Sequence, residues 1–302
     1  MDGVLKSRGI LLKVFSVLVF IAFATQLSQR EPLPSAEKVE VIKQYTYTDS
    51  STIVSAYYEF KSKHSVGDYR SWMMNLFSLQ DPMVIFTSGD LAPMVLEGRA
   101  KFNATHKTKV VALELNETNT SKMHDLAYWE KQHSMDPERR THPSYLLYWV
   151  WLSKSELVKR AIDMDPFQSE FYAWVDAGYF RNDRWNGQKM LQHIPPDLHD
   201  DQVLFLEVAM RGQELGVGGG FLGGYPPGIR RWNELFYSML REHESEFIGK
   251  EQDWFSKTCL NTSGLCLMVQ PGHASFGDKW FFMAPFLILG QNETGGSVRV
   301  PY

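Results

Sequence analysis

The chain has 302 residues, of which 44% are hydrophobic and 14% aromatic, so it can bury one large core or two modest ones. Its formal net charge is −4 and its basic residues are scattered, apart from pairs such as Arg139-Arg140, which excludes the electrostatic footprint of a nucleic-acid-binding protein. Because the sequence has no internal repeat and no low-complexity tract, one domain is the simplest expectation.

The amino-terminal segment predicts a membrane anchor. Residues 10–27 form an apolar run of about eighteen residues, just long enough to span a thin bilayer. Lys6 and Arg8 precede the run and acids follow it, which predicts a cytoplasmic tail over 1–9 and a type II signal anchor over 10–27. A signal peptide cleaved near residue 24 is the alternative, because Ala22-Phe23-Ala24 fits the small-x-small cleavage pattern.

Sequons and cysteines support a lumenal location. Five of the nine asparagines stand in Asn-x-Ser/Thr, all after the apolar run: Asn103, Asn116, Asn119, Asn261 and Asn292. The two cysteines, Cys259 and Cys266, flank a short turn-rich loop, which in an oxidising lumen predicts a local disulfide rather than a zinc site. The chain is therefore expected to be a single-pass protein of the Golgi or ER membrane, or a secreted one after cleavage.

The rest of the chain predicts alternating strands and helices. Residues 28–50 carry proline, charge and Ser/Thr and predict a stem or linker. Strand, helix, strand, helix and strand are then predicted over 53–60, 69–79, 83–86, 91–100 and 110–115. A long helix is predicted over 145–164, strands over 171–175 and 203–210, a helix over 229–247 and a strand-like run over 279–289. This order is typical of an α/β fold with a mainly parallel sheet flanked by helices.

Two segments are the candidates for a functional site. Asp176 ends the aromatic and β-branched run 171–175 and precedes Ala177-Gly178, so its carboxylate is expected where open α/β sheets bind ligands. Residues 216–224 read GVGGGFLGG and predict a loop that faces the same pocket, where a bulky ligand approaches bare backbone. The literal G-x-G-x-x-G over 218–223 lacks the strand-then-helix context of a dinucleotide fingerprint. A turn-capping aspartate and a plain glycine turn are the structural alternatives.

These segments carry a resemblance to a known family. The blocks YYEFKSKHS, FYAWVDAGYFRNDRW and GVGGGFLGG resemble those of the HtrL/YibB family, uncharacterised proteins whose bacterial members are associated with lipopolysaccharide-core genes. More distantly, the layout is similar to GT-A glycosyltransferases, in which an Asp-x-Asp at a strand end binds a divalent metal and the nucleotide sugar. The resemblance implies one GT-A-like catalytic domain over residues 51–302, after the anchor and stem.

The resemblance implies sugar transfer from a nucleotide-sugar donor to a glycan or glycoconjugate. Asp176 takes the first carboxylate position of the Asp-x-Asp motif, whereas Gly178 stands at the second, so the implied Mn²⁺ or Mg²⁺ would rely on Asp176 and a late histidine, His273. Glu251 and Asp253 are the candidate general bases toward the acceptor. The implied donor-binding residues are Lys61, Lys63, His64, Arg181, Gly219, Gly220, Gly223, Gly224 and Lys279.

Two other functions are compatible with the sequence. A non-catalytic lumenal protein, a glycan-binding or scaffold module that kept the fold, is favoured by Gly178 at the second motif position. A secreted hydrolase has less support, because the chain has no G-x-S-x-G elbow. Asp163-Met164-Asp165 also spells Asp-x-Asp, but it follows a helical run and precedes a proline, which predicts a helix end.

Overall fold

The computed structural model describes residues 50–208 and 214–301. The predicted tail and anchor and nearly all of the predicted stem, residues 1–49, lie outside the described residues, so these three predictions stay predictions. Within the described ranges, none of the helices combines the length and the apolar character that crossing a membrane requires.

A mixed sheet of eight strands forms the centre of the fold. The strands are β1 Ser51–Tyr57, β2 Met83–Thr87, β3 Thr108–Ala112, β4 Phe171–Val175, β5 Val203–Glu207, β6 Val217–Gly224, β7 Cys266–Gln270 and β8 Ser297–Arg299. Their order is β3-β2-β1-β4-β6-β5-β7-β8. The first four are parallel, β6 is antiparallel to β4 and β5, β7 is parallel to β5, and β8 is antiparallel to β7. The predicted α/β class with a mainly parallel sheet is confirmed.

Helices pack on both faces of the sheet. They are α1 Val66–Ser78, α2 Ala92–Ala100, α3 Asn119–Lys122, α4 Leu126–Met135, α5 Leu146–Leu152, α6 Lys154–Met164, α7 Pro226–Glu242, α8 Glu251–Asn261, α9 Met283–Leu289 and α10 Gln291–Thr294. Alternate residues of β4 enter two separate buried clusters, Tyr172 and Trp174 on one face and Phe171, Ala173 and Val175 on the other. Burial on both faces explains why this strand is apolar throughout.

The single helix predicted over 145–164 forms two helices, because a turn residue, Ser153, separates α5 from α6. The first residues of α6 are bound to three different parts of the fold. Lys154 reaches the end of β4, Ser155 accepts from Asn233 of α7, and Glu156 accepts from the backbone of Asn119. These tertiary bonds hold the start of α6, and local helix propensity does not reveal them. The helix end predicted at the second Asp-x-Asp is confirmed, since Asp165 ends α6 with a φ of 38°.

The glycine-rich segment predicted as a loop forms the central strand β6 instead, paired with β4 on one side and β5 on the other. A Cβ at Gly223 would lie 2.8 Å from the ring of Phe171, and one at Gly218 would lie 3.2 Å from Leu206. In β6 the glycines do not form a turn. They allow neighbouring side chains to pack against the bare backbone, where a Cβ would otherwise stand.

The strand-like run predicted over 279–289 is also wrong. It forms a 3₁₀ turn, Lys279–Phe281, followed by α9. Asp278 starts the turn by accepting a hydrogen bond from the backbone of Trp280 at 3.0 Å. Residues Met283 to Ile288 are all buried, so the helix has no polar face, and its sequence shows no period by which to distinguish it from a buried strand.

The predicted disulfide is confirmed. Cys259 lies in α8, Cys266 begins β7, and the two sulfurs are bonded with a Cα–Cα distance of 5.6 Å. By loop-closure entropy, such a short ring contributes about 2–3 kcal/mol to stability. The bond ties the end of α8 to the sheet, and α8 begins at a residue of the candidate site.

Candidate functional site

A cavity of about 770 Å³ opens at the carboxyl ends of β1 and β4. These strands are neighbours, and the strand order runs away from them in opposite directions, to β2 and β3 on one side and to β6 and β5 on the other. Open α/β sheets bind ligands at such a switch point. Residues that directly follow both strands line the cavity, among them Tyr58 and Glu59 after β1 and Asp176 after β4. The volume is within the range of small-molecule sites, about 300–1,000 Å³.

Asp176 is fixed on one side and open to the cavity on the other. Trp174 Nε1–H donates to its Oδ1 at 2.6 Å, and Lys154 Nζ lies 3.0 Å from the same oxygen. The Asp176 side chain is 37% exposed although both partners are buried. The turn after β4 is closed by backbone, with Tyr179 N–H donating to the Asp176 carbonyl at 2.9 Å. The carboxylate is therefore held by an indole and an ammonium, which the turn-capping alternative does not explain.

Lys154 is a fully buried cation between two carboxylates. Its Nζ donates to Glu251 Oε1 at 2.9 Å and to the Gly219 carbonyl at 2.7 Å, besides its contact with Asp176. Burial acts to lower the pKa of Lys154, but the charges of Asp176 and Glu251 outweigh it and place the pKa above its ordinary value. The charged ammonium thus joins the end of β4, the middle of β6 and the start of α8.

Two glycines of β6 allow this cluster to form. A Cβ at Gly219 would overlap Glu251 Oε1 and lie 3.0 Å from Gln252 Cγ. A Cβ at Gly220 would lie 2.9 Å from the Tyr179 ring. Because any side chain at Gly219 would displace Glu251, the bare backbone of β6 is part of the construction of the site.

Aromatic rings and cations form another part of the cavity wall. The Arg181 guanidinium carbon lies 3.5 Å from the centroid of the Trp72 ring, and the His64 ring meets the same indole edge-on at 4.9 Å. Burial lowers the pKa of Arg181. Burial and then the charges of Arg181 and Lys63 lower the pKa of His64. This part of the cavity wall carries positive charge and aromatic rings, whereas the part near Lys154 carries carboxylates.

Comparison with known proteins identifies the chain. Residues 49–216 match the family model described as "Bacterial protein of unknown function (HtrL_YibB)", which is more than half of the sequence. The chain belongs to the HtrL/YibB family. The family match contains β1, β4, Lys154 and Asp176 and ends just before β6.

One relative of this HtrL/YibB chain is Protein HtrL of Escherichia coli (strain K12), which is 28% identical over 156 residues. The match covers 43% of this chain and 51% of HtrL, so the chain spans about half the length of that relative. Among solved structures, PaToxG Glycosyltransferase has a TM-score of 0.34 at 10% identity, covering 71% of this chain and 69% of its own. A glycosyltransferase involved in the glycosylation of the major capsid of PBCV-1 has a TM-score of 0.32 at 10% identity, covering 64% and 68%.

The residues of this HtrL/YibB protein do not fit the divalent cation of an Asp-x-Asp site. A Cβ at Gly178 would lie 3.1 Å from Trp72 Cε3 and 3.2 Å from Tyr69 Cε1, so two rings of α1 fill the space of a second carboxylate. Oδ1 of Asp176 is taken by Trp174 and Lys154. Residues 50–208 and 214–301 contain no group of three or more His, Cys, Asp or Glu side chains that could hold a metal. Hard cations bind several oxygens, whereas among the described residues the partners of Asp176 Oδ1 are an indole and an ammonium.

The structure brings about half of the predicted site residues together. Those that line the cavity are Lys63, His64, Asp176, Arg181, Gly219, Gly220 and Glu251. Those outside its lining are Lys61, Gly223, Gly224, Asp253, His273 and Lys279. Gly223 and Gly224 are paired within the sheet, Asp253 borders a smaller second cavity, and the ring of the exposed His273 lies against Gly295.

The sequence-based prediction missed Lys154, which organises the site of this HtrL/YibB chain. The sequence pattern indicates that Lys154 is buried, because it lies on the same helical stripe as Leu157, Val158 and Ala161, all of them buried. A lysine at a core position needs buried acidic partners. The sequence does not indicate the hydrogen bond from Trp174 to Asp176, since an indole in a buried strand is normally only part of the core.

Proposed function

We propose that the chain is a nucleotide-sugar-dependent glycosyltransferase that acts on a glycan or glycoconjugate. The observation that carries the proposal is one cavity at the carboxyl ends of β1 and β4 in which an open carboxylate, a cationic patch and aromatic rings face the same space. A nucleotide sugar combines a flat base, a diphosphate and a hydroxyl-rich ring. Each of these parts has matching chemistry in the cavity.

The match can be followed group by group. The Arg181 guanidinium and the Lys63 ammonium suit the diphosphate, because charge-assisted hydrogen bonds to phosphate are strong and Arg presents a fork of donors. Tyr69 and Trp151 line the cavity and offer faces on which a base can stack. Asp176 suits the sugar, because a carboxylate accepts hydrogen bonds from hydroxyl groups.

The cations of the chain would stabilise the leaving diphosphate. Charge that develops on the departing oxygen is best stabilised by fixed donors already in place. Arg181 is pre-oriented by its stack on Trp72, so little ordering is needed when the phosphates arrive. Asp176, fixed by Lys154, would hold the sugar hydroxyls in one orientation.

A donor screen tests the proposal. The purified protein is incubated with UDP-linked and GDP-linked sugars, with Mn²⁺ and with chelator, and the released nucleoside diphosphate is measured. We expect turnover of one donor class, and we expect it to survive chelation because the donor set for a metal is poor. Turnover that appears only with Mn²⁺ would contradict the expectation that the reaction needs no metal. The absence of turnover with every donor would contradict the enzymatic function.

A non-catalytic glycan-binding or scaffold protein is the second candidate. It is favoured by Gly178, which stands in place of a second carboxylate and where a Cβ would lie 3.1 Å from Trp72 and 3.2 Å from Tyr69. This alternative predicts no turnover in the screen, while calorimetry on the same samples detects binding of a glycan or a nucleotide. The two functions thus give opposite results in one set of samples.

We also propose that residues 50–301 lie in the lumen of the secretory pathway. The disulfide supports this because disulfides persist in oxidising compartments, and all five sequon asparagines are exposed. Protein expressed in a secretory host is expected to migrate faster on a gel after glycosidase treatment. A variant with all five asparagines changed to Gln is the control and should not shift. An unshifted wild type in every secretory host would rule the lumenal location out.

A further inference from the structure

A second polar group lines the cavity, and the function described so far does not use it. Asp136 directly follows α4, and His142 lies in the segment that leads to α5. His142 Nδ1 is 2.8 Å from Asp136 Oδ2, and His142 is among the residues that line the cavity. We infer that His142 is the general base that deprotonates the acceptor and that Asp136 positions its ring. This inference rests on the proposed glycosyltransferase activity.

Asp136 is built to stay ionised and immobile. Tyr148 O–H donates to Oδ2 at 2.6 Å, and the Glu138 backbone N–H donates to Oδ1 at 2.7 Å. Burial acts to raise the pKa of Asp136, but the hydrogen bonds from Tyr148, His142 and Glu138 outweigh it and hold the pKa below its usual value. A carboxylate anion only accepts hydrogen bonds, so the proton of neutral His142 must be on Nδ1. Nε2 then carries the lone pair, as a general base requires.

The His142 ring is held in place while it borders the cavity. Trp151 meets the ring edge-on at 5.0 Å, and His133 Nε2 lies 2.7 Å from the His142 carbonyl. The side chain is 8% exposed, and among the described residues Nε2 has no hydrogen-bond partner. A purely structural dyad would account for the bonds to Asp136. It would not account for a histidine placed in the lining of the cavity that also contains Asp176.

His142 is better placed than the predicted base, Glu251. Glu251 Oε1 is bound to the buried ammonium of Lys154, whereas among the described residues no such partner engages His142 Nε2. Besides Asp136, the titratable groups in or next to this wall are Tyr148, His133 and the Glu138–Lys250 pair, whose charged atoms are 3.0 Å apart.

The step that we propose is a direct displacement. The acceptor hydroxyl gives its proton to His142 Nε2 while its oxygen forms a bond to C1 of the donor sugar. The bond from C1 to the diphosphate oxygen breaks, and its electron pair leaves with the nucleoside diphosphate. Asp136 stays ionised and stabilises the imidazolium that forms. In the absence of acceptor, water takes its place and the donor is hydrolysed.

His142→Asn is the variant that tests this role. Its amide N–H can replace Nδ1–H toward Asp136, whereas nothing replaces Nε2. With the donor that wild type hydrolyses, we expect turnover to fall about 10²- to 10⁴-fold. Binding of the corresponding nucleoside diphosphate, measured by calorimetry, should change less than about twofold. A base at His142 predicts that wild-type activity falls toward acid pH and that the variant lacks this fall. His142→Gln serves as a second variant, because it also lacks a titrating base.

His133→Asn is the matched control. It removes the bond to the His142 carbonyl and loosens the same segment, but His133 is not part of the cavity lining. We expect it to keep the wild-type pH profile. Equal activity of His142→Asn and wild type, or equal losses in His142→Asn and His133→Asn, would overturn the inference and leave the proposed function standing. A wild type that turns over no donor would overturn both.

Discussion

Replacing Lys154 with methionine is expected to lower the free energy of unfolding by about 3–5 kcal/mol at neutral pH, the usual cost of removing one partner from a buried ion pair. Methionine keeps most of the side-chain volume, so little of the loss comes from an empty space. The loss is electrostatic, because Glu251 is 6% exposed and would be left beside Asp176 without a cation, so that keeping its charge or taking up a proton costs free energy.

The pH dependence separates this cause from a packing defect. In the wild type the pKa of Lys154 is raised above 10.5 in the folded state, so its contribution is complete below that value and is lost only above the folded pKa. In Lys154→Met a buried carboxyl without a cation favours its neutral form, so the folded state holds more protons than the unfolded state. The stability of the variant should therefore fall as the pH rises from about 5 to about 8, relative to wild type.

Urea denaturation at several pH values measures the effect, and the chain offers two controls. Lys159→Met lies on the same helix and breaks a partly exposed pair with Asp163, so it should cost less than about 1 kcal/mol. Lys154→Met combined with Glu251→Gln removes the unpaired charge and should lose most of the pH dependence. If Lys154→Met behaves like Lys159→Met, the buried cation does not organise the site.

The predictable part of the fold came from segments whose local pattern agrees with their tertiary role. Strand β4 was predicted with its bounds, because an apolar run ended by Asp176 and Gly178 has one simple explanation. Strand β6 was not, because glycine usually marks turns. Its glycines are required by Phe171 and Leu206, residues that only the pairing of the sheet brings close.

The candidate site, like the fold, can be predicted from the sequence only in part. A strand-end acid indicates the edge of the sheet where ligands bind, and Asp176 does lie in the cavity. The sequence does not tell which side chains from other elements meet it there. His142 lines the cavity from the segment between α4 and α5, and Lys154 contacts Asp176 and Glu251 from the start of α6. These partners lie far from Lys154 in the sequence, so motif spacing carries no trace of the contacts.

Asp176→Asn is expected to reduce sugar transfer by about two or more orders of magnitude while the melting temperature stays near that of wild type. The amide oxygen can still accept from Trp174 and Lys154, and Glu251 still neutralises the ammonium, so no buried charge is left alone. What disappears is the negative charge that faces the cavity.

Asp165→Asn is the control for a structural aspartate. Asp165 ends α6 in the left-handed region and accepts from the Tyr172 hydroxyl at 2.6 Å, and asparagine tolerates that backbone well. It is not among the residues that line the cavity, so activity should be retained. Both variants are assayed for donor turnover and thermal unfolding. Full activity of Asp176→Asn would show that the cavity charge is dispensable, and it would favour a non-catalytic protein or a different site, whereas a large loss of stability would make Asp176 a determinant of the fold.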